Sequence, residues 1–345
     1  MKVYCNLPWE RLKIDANGDF QSCCHQTVHY GNIIEDDINI EDIPKIQLLR
    51  DVRVETLNNK LHSNCNNRMC PLYHTNLEKN NRVSLTKYPK QIELALPPTW
   101  CNIGGLNPTQ DTACIMCPRS SLQFIQTMSN MDDRTDLLLE KVKPAIPHLE
   151  TFTILGIAEP FYKGRIFEIL DKIEFKKYKE KILFWSFSNG TLFSEKYQDL
   201  FLYEYTDKSC IGFSIDAANP ETYIKIRRLD YLKTIERNLE SFFKKIHDFN
   251  HLRDWSFVTY NINMINLYEM EDMLRFGNSI GADKVQYNLT YISDPGIKID
   301  RDLLCNENNW EFFWEQQLKI EELAKVLNQK IEFYIPFHNG YLNKK

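Results

Sequence analysis

From residue 91 onward, short apolar runs rich in β-branched and aromatic residues alternate with longer stretches of helical period. The runs are IELAL (92–96), TFTILG (151–156), ILFWSFS (182–188), CIGFSID (210–216), WSFVTYN (255–261) and KVQYNLT (284–290). This alternation predicts parallel strands joined by crossover helices, because parallel neighbours need a connection long enough to return along the sheet. Helix-start signals lie between the runs. Asn219 precedes Pro220 in NPETYIKI as an N-cap would, and Ser194 opens SEKYQDLFL ahead of a periodic apolar stretch.

Six βα units fall short of an eight-fold barrel, which leaves an open partial barrel or a doubly wound sheet. The polar motifs share one address. The CxxC pair follows the first run, GIAEP the second, SNG the third, SIDA the fourth and NIN the fifth. All stand at carboxyl ends of strands, where parallel α/β folds assemble their sites.

The first 90 residues read differently. They are rich in Asn, Cys and His, and DANGD between RLKI and FQSC predicts a hairpin. A helix is expected over EDIPKIQLLRDVRVETLNN, and another over NENNWEFFWEQQLKIEELAKVLNQ before a last apolar run, KIEFYIPF. The chain has 345 residues and a formal charge of -5, a balance that argues against general nucleic-acid binding. No basic, apolar leader opens it, and no run approaches the roughly 20 apolar residues of a membrane span. A cytoplasmic protein is expected. In that reducing compartment, 10 cysteines, eight of them before residue 118, favour metal or redox chemistry over structural disulfides.

Cys101, Cys114 and Cys117 carry that chemistry, in CNIGGLNPTQDTACIMCPRSS. A set of four cysteines would close a tetrahedral site, whereas three leave one coordination position open, as catalysis requires. Thiolate softness suits zinc and iron–sulfur clusters alike, so spacing alone does not name the metal. These residues resemble the radical S-adenosylmethionine (SAM) superfamily, with CN at 101–102 and CIMCPR at 114–119 matching its motif and a twelve-residue step where three residues are usual. LGIAEPF resembles the family's GGEP segment, FSNGTLFS its TNGTLLS stretch, and IGFSIDAANPETYIKIR the corresponding stretch of the SPASM-type subgroup. The resemblance covers about 200 residues in the family's order.

The resemblance implies a partial (β/α)6 TIM-type barrel with a small N-terminal Cys-rich iron–sulfur module. It assigns Cys101, Cys114 and Cys117 to a [4Fe-4S] cluster that binds SAM, and Glu159, Asn189, Ser214, Asp216 and Arg227 to SAM itself; for Asn189, capping its own turn stands as an equal reading. Cys5, Gly18 and Cys23 fit C-x12-G-x4-C, and Cys65 with Cys70 fits C-x4-C, similar to part of the SPASM pattern that holds an auxiliary [4Fe-4S] cluster. Cys24 is the rival to Cys23, since neighbours in a strand point to opposite faces, and structural zinc is the rival to the cluster. That module normally follows the barrel. Here KIEFYIPFHNG resembles what stands before its first cysteine, which implies a circular permutation with the end of the chain near its start.

The implied organisation is a SPASM-like module over 1–88, the radical SAM partial barrel over 89–300, and a helix and strand over 301–345 that complete the barrel or link back to the module. The implied activity is reductive cleavage of SAM to a 5′-deoxyadenosyl radical that abstracts hydrogen from a substrate. A peptide or protein substrate leads (crosslinking, epimerisation or oxidation), with oxidation or rearrangement of a sugar or small metabolite as the alternative. A non-catalytic zinc-binding interaction protein is the rival class. An electron donor such as flavodoxin or ferredoxin is the implied partner.

Overall fold

The structure is a computed structural model. It describes residues 2–3, 5–24, 26–58, 60–65, 81–83, 85–103, 112–117, 119, 133–248, 256–289 and 307–334.

Ten strands form one sheet: β1 (Arg11–Ile14), β2 (Asp19–Gln21), β3 (Gly31–Asn32), β4 (Gln91–Ala95), β5 (Thr151–Leu155), β6 (Leu183–Ser188), β7 (Ser209–Ser214), β8 (Phe257–Ile262), β9 (Lys284–Leu289) and β10 (Lys330–Tyr334). Their spatial order is β10-β9-β8-β7-β6-β5-β4-β1-β2-β3. From β4 to β10 every neighbour is next in sequence and parallel. The order never reverses. A doubly wound sheet needs a reversal to send helices to both faces, whereas right-handed crossovers in unbroken order send them all to one. The sheet is therefore an open, singly wound α/β partial barrel, with helices outside and a concave face left free.

The helices follow the strands in turn: α1 (Gln47–Leu57) belongs to the N-terminal part, then α2 (Thr135–Val142), α3 (Arg165–Lys172), α4 (Glu195–Asp199), α5 (Pro220–Arg227), α6 (Leu232–Asp248), α7 (Met270–Ser279) and α8 (Glu307–Leu327). Strand residues of one parity, among them Ile92, Ile154, Phe184, Phe213, Tyr260 and Tyr287, join the helices in one continuous apolar core. Asn219 caps α5 as its sequence predicts, accepting the Glu221 N–H at 2.9 Å. The helix expected over 41–59 starts only at Gln47, after a 3-10 turn (Ile40–Lys45) containing Pro44, which has no N–H to give.

The predicted hairpin forms β1 and β2, pairing Lys13 with Gln21 and Ile14 with Phe20 around Gly18 at φ 98°. The same β1 also pairs in parallel with β4, so Leu12, Ile14 and Phe20 enter the barrel's own core. At the far edge, burial and the neighbouring Cys24 and Cys23 hold the Tyr334 phenol above its ordinary range. Tyr334, at the end of the last strand, thus lies near Cys23 and Cys24. Phe337, whose position bears on the permutation, lies outside the described residues. Among the described residues no helix is long and apolar enough to cross a membrane.

Candidate functional site

Cys101 leaves β4 through a single turn (Pro98–Trp100), and Cys114 and Cys117 return to the same place, with the Cys117 N–H donating to the Cys114 carbonyl at 3.0 Å. Burial pushes the Cys101 thiol up to about 11 and the Cys117 thiol up to about 12, and Cys114 adds to both shifts. With a third sulfur beside them, the Cys101 and Cys117 thiols stay protonated at neutral pH unless a cation compensates them. Two guanidinium groups flank them. Arg119 is buried, donates to the Ile103 carbonyl at 2.7 Å and opposes the Cys101 shift. Arg227 Nη1 donates to Cys114 Sγ at 3.7 Å.

The strand ends are wired to this loop. Asn102, next to Cys101, accepts from Asn189 Nδ2 at 3.1 Å and donates to Thr191 Oγ1 at 2.8 Å. Asn189 also accepts from the Thr191 N–H at 3.0 Å, so it caps its own turn at Gly190 (φ 74°) and braces the cysteine loop at once. Glu159, after β5, is wholly buried and accepts from Ser188 Oγ at 2.8 Å, the Asn189 N–H at 2.7 Å and the Phe161 N–H at 3.2 Å. Burial pushes its carboxyl up to about 7 against those donors. A carboxylate accepts about four hydrogen bonds, which leaves one direction open.

At the fourth strand end, Asp216 sits at φ 63° with no exposed surface, ion-paired to Arg227. Its other oxygen accepts from the Asn261 N–H at 3.0 Å and Asn261 Nδ2 at 2.7 Å. Ser214 offers its carbonyl to Arg227 at 2.8 Å and its hydroxyl to Thr259 at 3.2 Å. Sequence reasoning named Glu159, Asn189, Ser214, Asp216 and Arg227, and the fold gathers all five around the cysteine loop. It did not find Asn102 or Arg119, although CN and CPR flank the cysteines, nor Asn266, which anchors the Asp216 carbonyl at 2.7 Å.

Among the described residues no three His, Cys, Asp or Glu side chains form a single-ion site. A cubane cluster, taking one thiolate per iron, spreads its ligands wider than one ion does. The residues fit such a group: three thiols lie together, and Tyr223 Oη and Arg227 Nε beside Cys114 are buried without a hydrogen-bond partner among the described residues.

The N-terminal cysteines are less gathered. Cys23 and Cys24 neighbour Arg11 and Tyr334. Cys65 bridges Gln26, whose N–H donates to the Cys23 carbonyl at 3.2 Å. Cys5 is half-buried, while Cys70 and Cys305 lie outside the described residues.

The concave face carries the strand residues of opposite parity. Trp185 keeps 37% of its surface exposed on a central strand. Phe187 lies 6.1 Å from Trp185 and 5.9 Å from Phe257, ring to ring. Gly212 makes room for Phe187, since a Cβ there would come within 2.6 Å of its Cδ1. Toward the strand ends the face turns polar, with Gln286 donating to Asn288 at 2.8 Å beside Asn261.

The fold and site define a singly wound α/β partial barrel with three thiols gathered at the carboxyl rim of its strands. No family model matches the chain, and no curated protein matches it. Among solved structures it is similar to Streptococcus suis SuiB bound to S-adenosylmethionine (11% identity, 74% of this chain and 53% of that one, TM-score 0.49). It is also similar to anSMEcpe with bound AdoMet (18% identity, 71% of this chain and 61% of that one, TM-score 0.49). The chain spans about half the length of SuiB. At this level the functional reading rests on the chain's own residues.

Proposed function

We propose that the chain is a radical SAM enzyme acting on a peptide or protein. The observation that carries the reading is the convergence of Cys101, Cys114 and Cys117, half-buried to buried, at the ends of successive parallel strands. Bound there, a [4Fe-4S] cluster supplies one-electron reduction of the SAM sulfonium, which yields the 5′-deoxyadenosyl radical. The protein's own residues do the rest. Asn102 and Asn189 fix the loop against the third strand end, Arg227 and Asp216 fix it against the fourth, and Arg119 and Arg227 offset thiolate charge. Glu159, Ser214 and Asn189 are the candidate contacts for SAM.

The substrate surface is the concave face. Trp185 and Phe187, backed by the buried Phe257, form an apolar platform on the same face as the amides of Asn261, Gln286 and Asn288, a pairing suited to a side chain and the peptide groups next to it. Cys5, Cys23, Cys65 and Cys70 are the proposed ligands of an auxiliary [4Fe-4S] cluster in the N-terminal module, and a flavodoxin or ferredoxin is the proposed electron donor.

Anoxic reconstitution tests the reading. About eight irons per chain, four per cluster, together with SAM cleavage under reduction are expected, and Cys117→Ala should abolish cleavage while the auxiliary iron remains. Stoichiometric zinc without SAM turnover would place the chain in the interaction-protein class instead.

A further inference from the structure

On the outer rim, away from the concave face, a cleft of about 380 Å³ opens between the loop after β5, the start of α4 and helix α6. Lys163 enters it from the loop, Lys196 from α4 and Arg237 from α6, and among the described residues no carboxylate lines it. Among the described residues none of the three is in an ion pair, although their neighbours are: Arg165 is held by Glu168 and Lys245 by Asp199, each at 2.6 Å. The hydroxyls of Ser194, Tyr197 and Thr234 line the same cleft with no hydrogen-bond partner among the described residues. Three cations outside any ion pair, of which Lys163 also lies 5.3 Å over the Tyr162 ring, and three hydroxyls without a hydrogen-bond partner among the described residues therefore line one space in a chain whose net charge is -5.

We infer that this cleft binds a small phosphate-bearing molecule. The cations approach from three separate elements, which suits the oxygens of a tetrahedral dianion better than the two in-plane edges of a carboxylate. The volume falls within the range of small-molecule sites, about 300–1,000 Å³, and well short of a macromolecular surface. Leu192 and the Tyr197 ring offer the ligand's organic part an apolar wall. Thr191 belongs to both the cleft and the rim network, where it accepts from Asn102, so an occupant would sit one side chain from the cysteine loop.

Calorimetric titration of the full chain at constant ionic strength tests this with phenyl phosphate, benzoate and benzyl alcohol, and needs neither cluster nor SAM. Phenyl phosphate is expected to bind one to one, benzoate at least about tenfold more weakly, and benzyl alcohol not measurably. Lys196→Ala and Arg237→Ala should each weaken phenyl phosphate about tenfold, the loss of one charge-assisted contact. Lys244→Ala, an exposed cation on α6 outside the cleft, should leave binding unchanged. The inference is overturned if phenyl phosphate does not bind, if benzoate binds as tightly, or if the two cleft variants bind like the parent or no worse than Lys244→Ala.

Discussion

Replacing Asp216 by Asn should destabilise the chain by about 3–5 kcal/mol, the cost of breaking a buried ion pair by removing one partner. Asp216 has no exposed surface, and Arg227, its partner, keeps 9%. One carboxylate oxygen faces the guanidinium and the other takes two donors from Asn261, so both sides of the group meet N–H. An amide brings one oxygen and one NH₂. Whichever way it turns, a donor faces donors and Arg227 loses its counter-charge. Backbone strain does not confuse the result, because Asn tolerates the left-handed conformation at φ 63° as readily as Asp. Against the 5–15 kcal/mol that usually separates folded from unfolded chains, this loss is large. Urea unfolding of the anoxic apo-protein reads it directly, and an Asp216→Asn/Arg227→Met double variant, which removes both charges and keeps a residue that tolerates φ 63°, should recover part of it. A loss below about 1 kcal/mol would refute the argument, because neither the charge nor the donor arrangement would then be holding the fourth strand end.

Three further outcomes follow from the same structure. Gly212→Ala should cost about 1–3 kcal/mol in urea unfolding by driving Phe187 off the concave face, and adding Phe187→Leu should restore most of it; an unchanged midpoint would contradict that packing. Asn102→Ala should leave the fold intact but lower iron retention under chelator challenge, since it frees the cysteine loop from Asn189 and Thr191; retention equal to the parent would contradict the bracing role. Glu159, raised by burial from 4.5 to about 7, holds its proton more tightly folded than unfolded. Its contribution is therefore fully present below pH 4.5 and is lost as pH rises toward 7, so Glu159→Gln should flatten the stability profile across that window; parallel profiles would contradict it.

The strand runs were legible because each pairs a β-rich core parity with a polar terminus, and Phe152, Phe213 and Tyr287 mark the buried side as plainly in the sequence as in the packing. The address of the site was legible for the same reason, since a parallel sheet brings every strand's carboxyl end to one rim. What escaped depends on pairing between distant segments. That β1 would join β4 in parallel is invisible in RLKI, because the hairpin partner satisfies only one edge of the strand. Asn102 and Arg119 stood inside the matched motif without a role, because an Asn or Arg beside a cysteine acquires meaning only from what lies across the rim. Trp185 on the concave face was not legible either, because an apolar run does not say which of its parities meets helices and which meets an open face.

The central claim is that Cys101, Cys114 and Cys117 hold a redox cluster whose open iron takes SAM. The most direct measurement is electron paramagnetic resonance of the anoxically reconstituted, dithionite-reduced chain with and without SAM. The expected spectrum holds one component that shifts when SAM is added and is lost, with SAM cleavage, in Cys117→Ala, leaving only the SAM-insensitive component of the auxiliary cluster. A spectrum in which no component responds to SAM, or one that is unchanged in that variant, would contradict it.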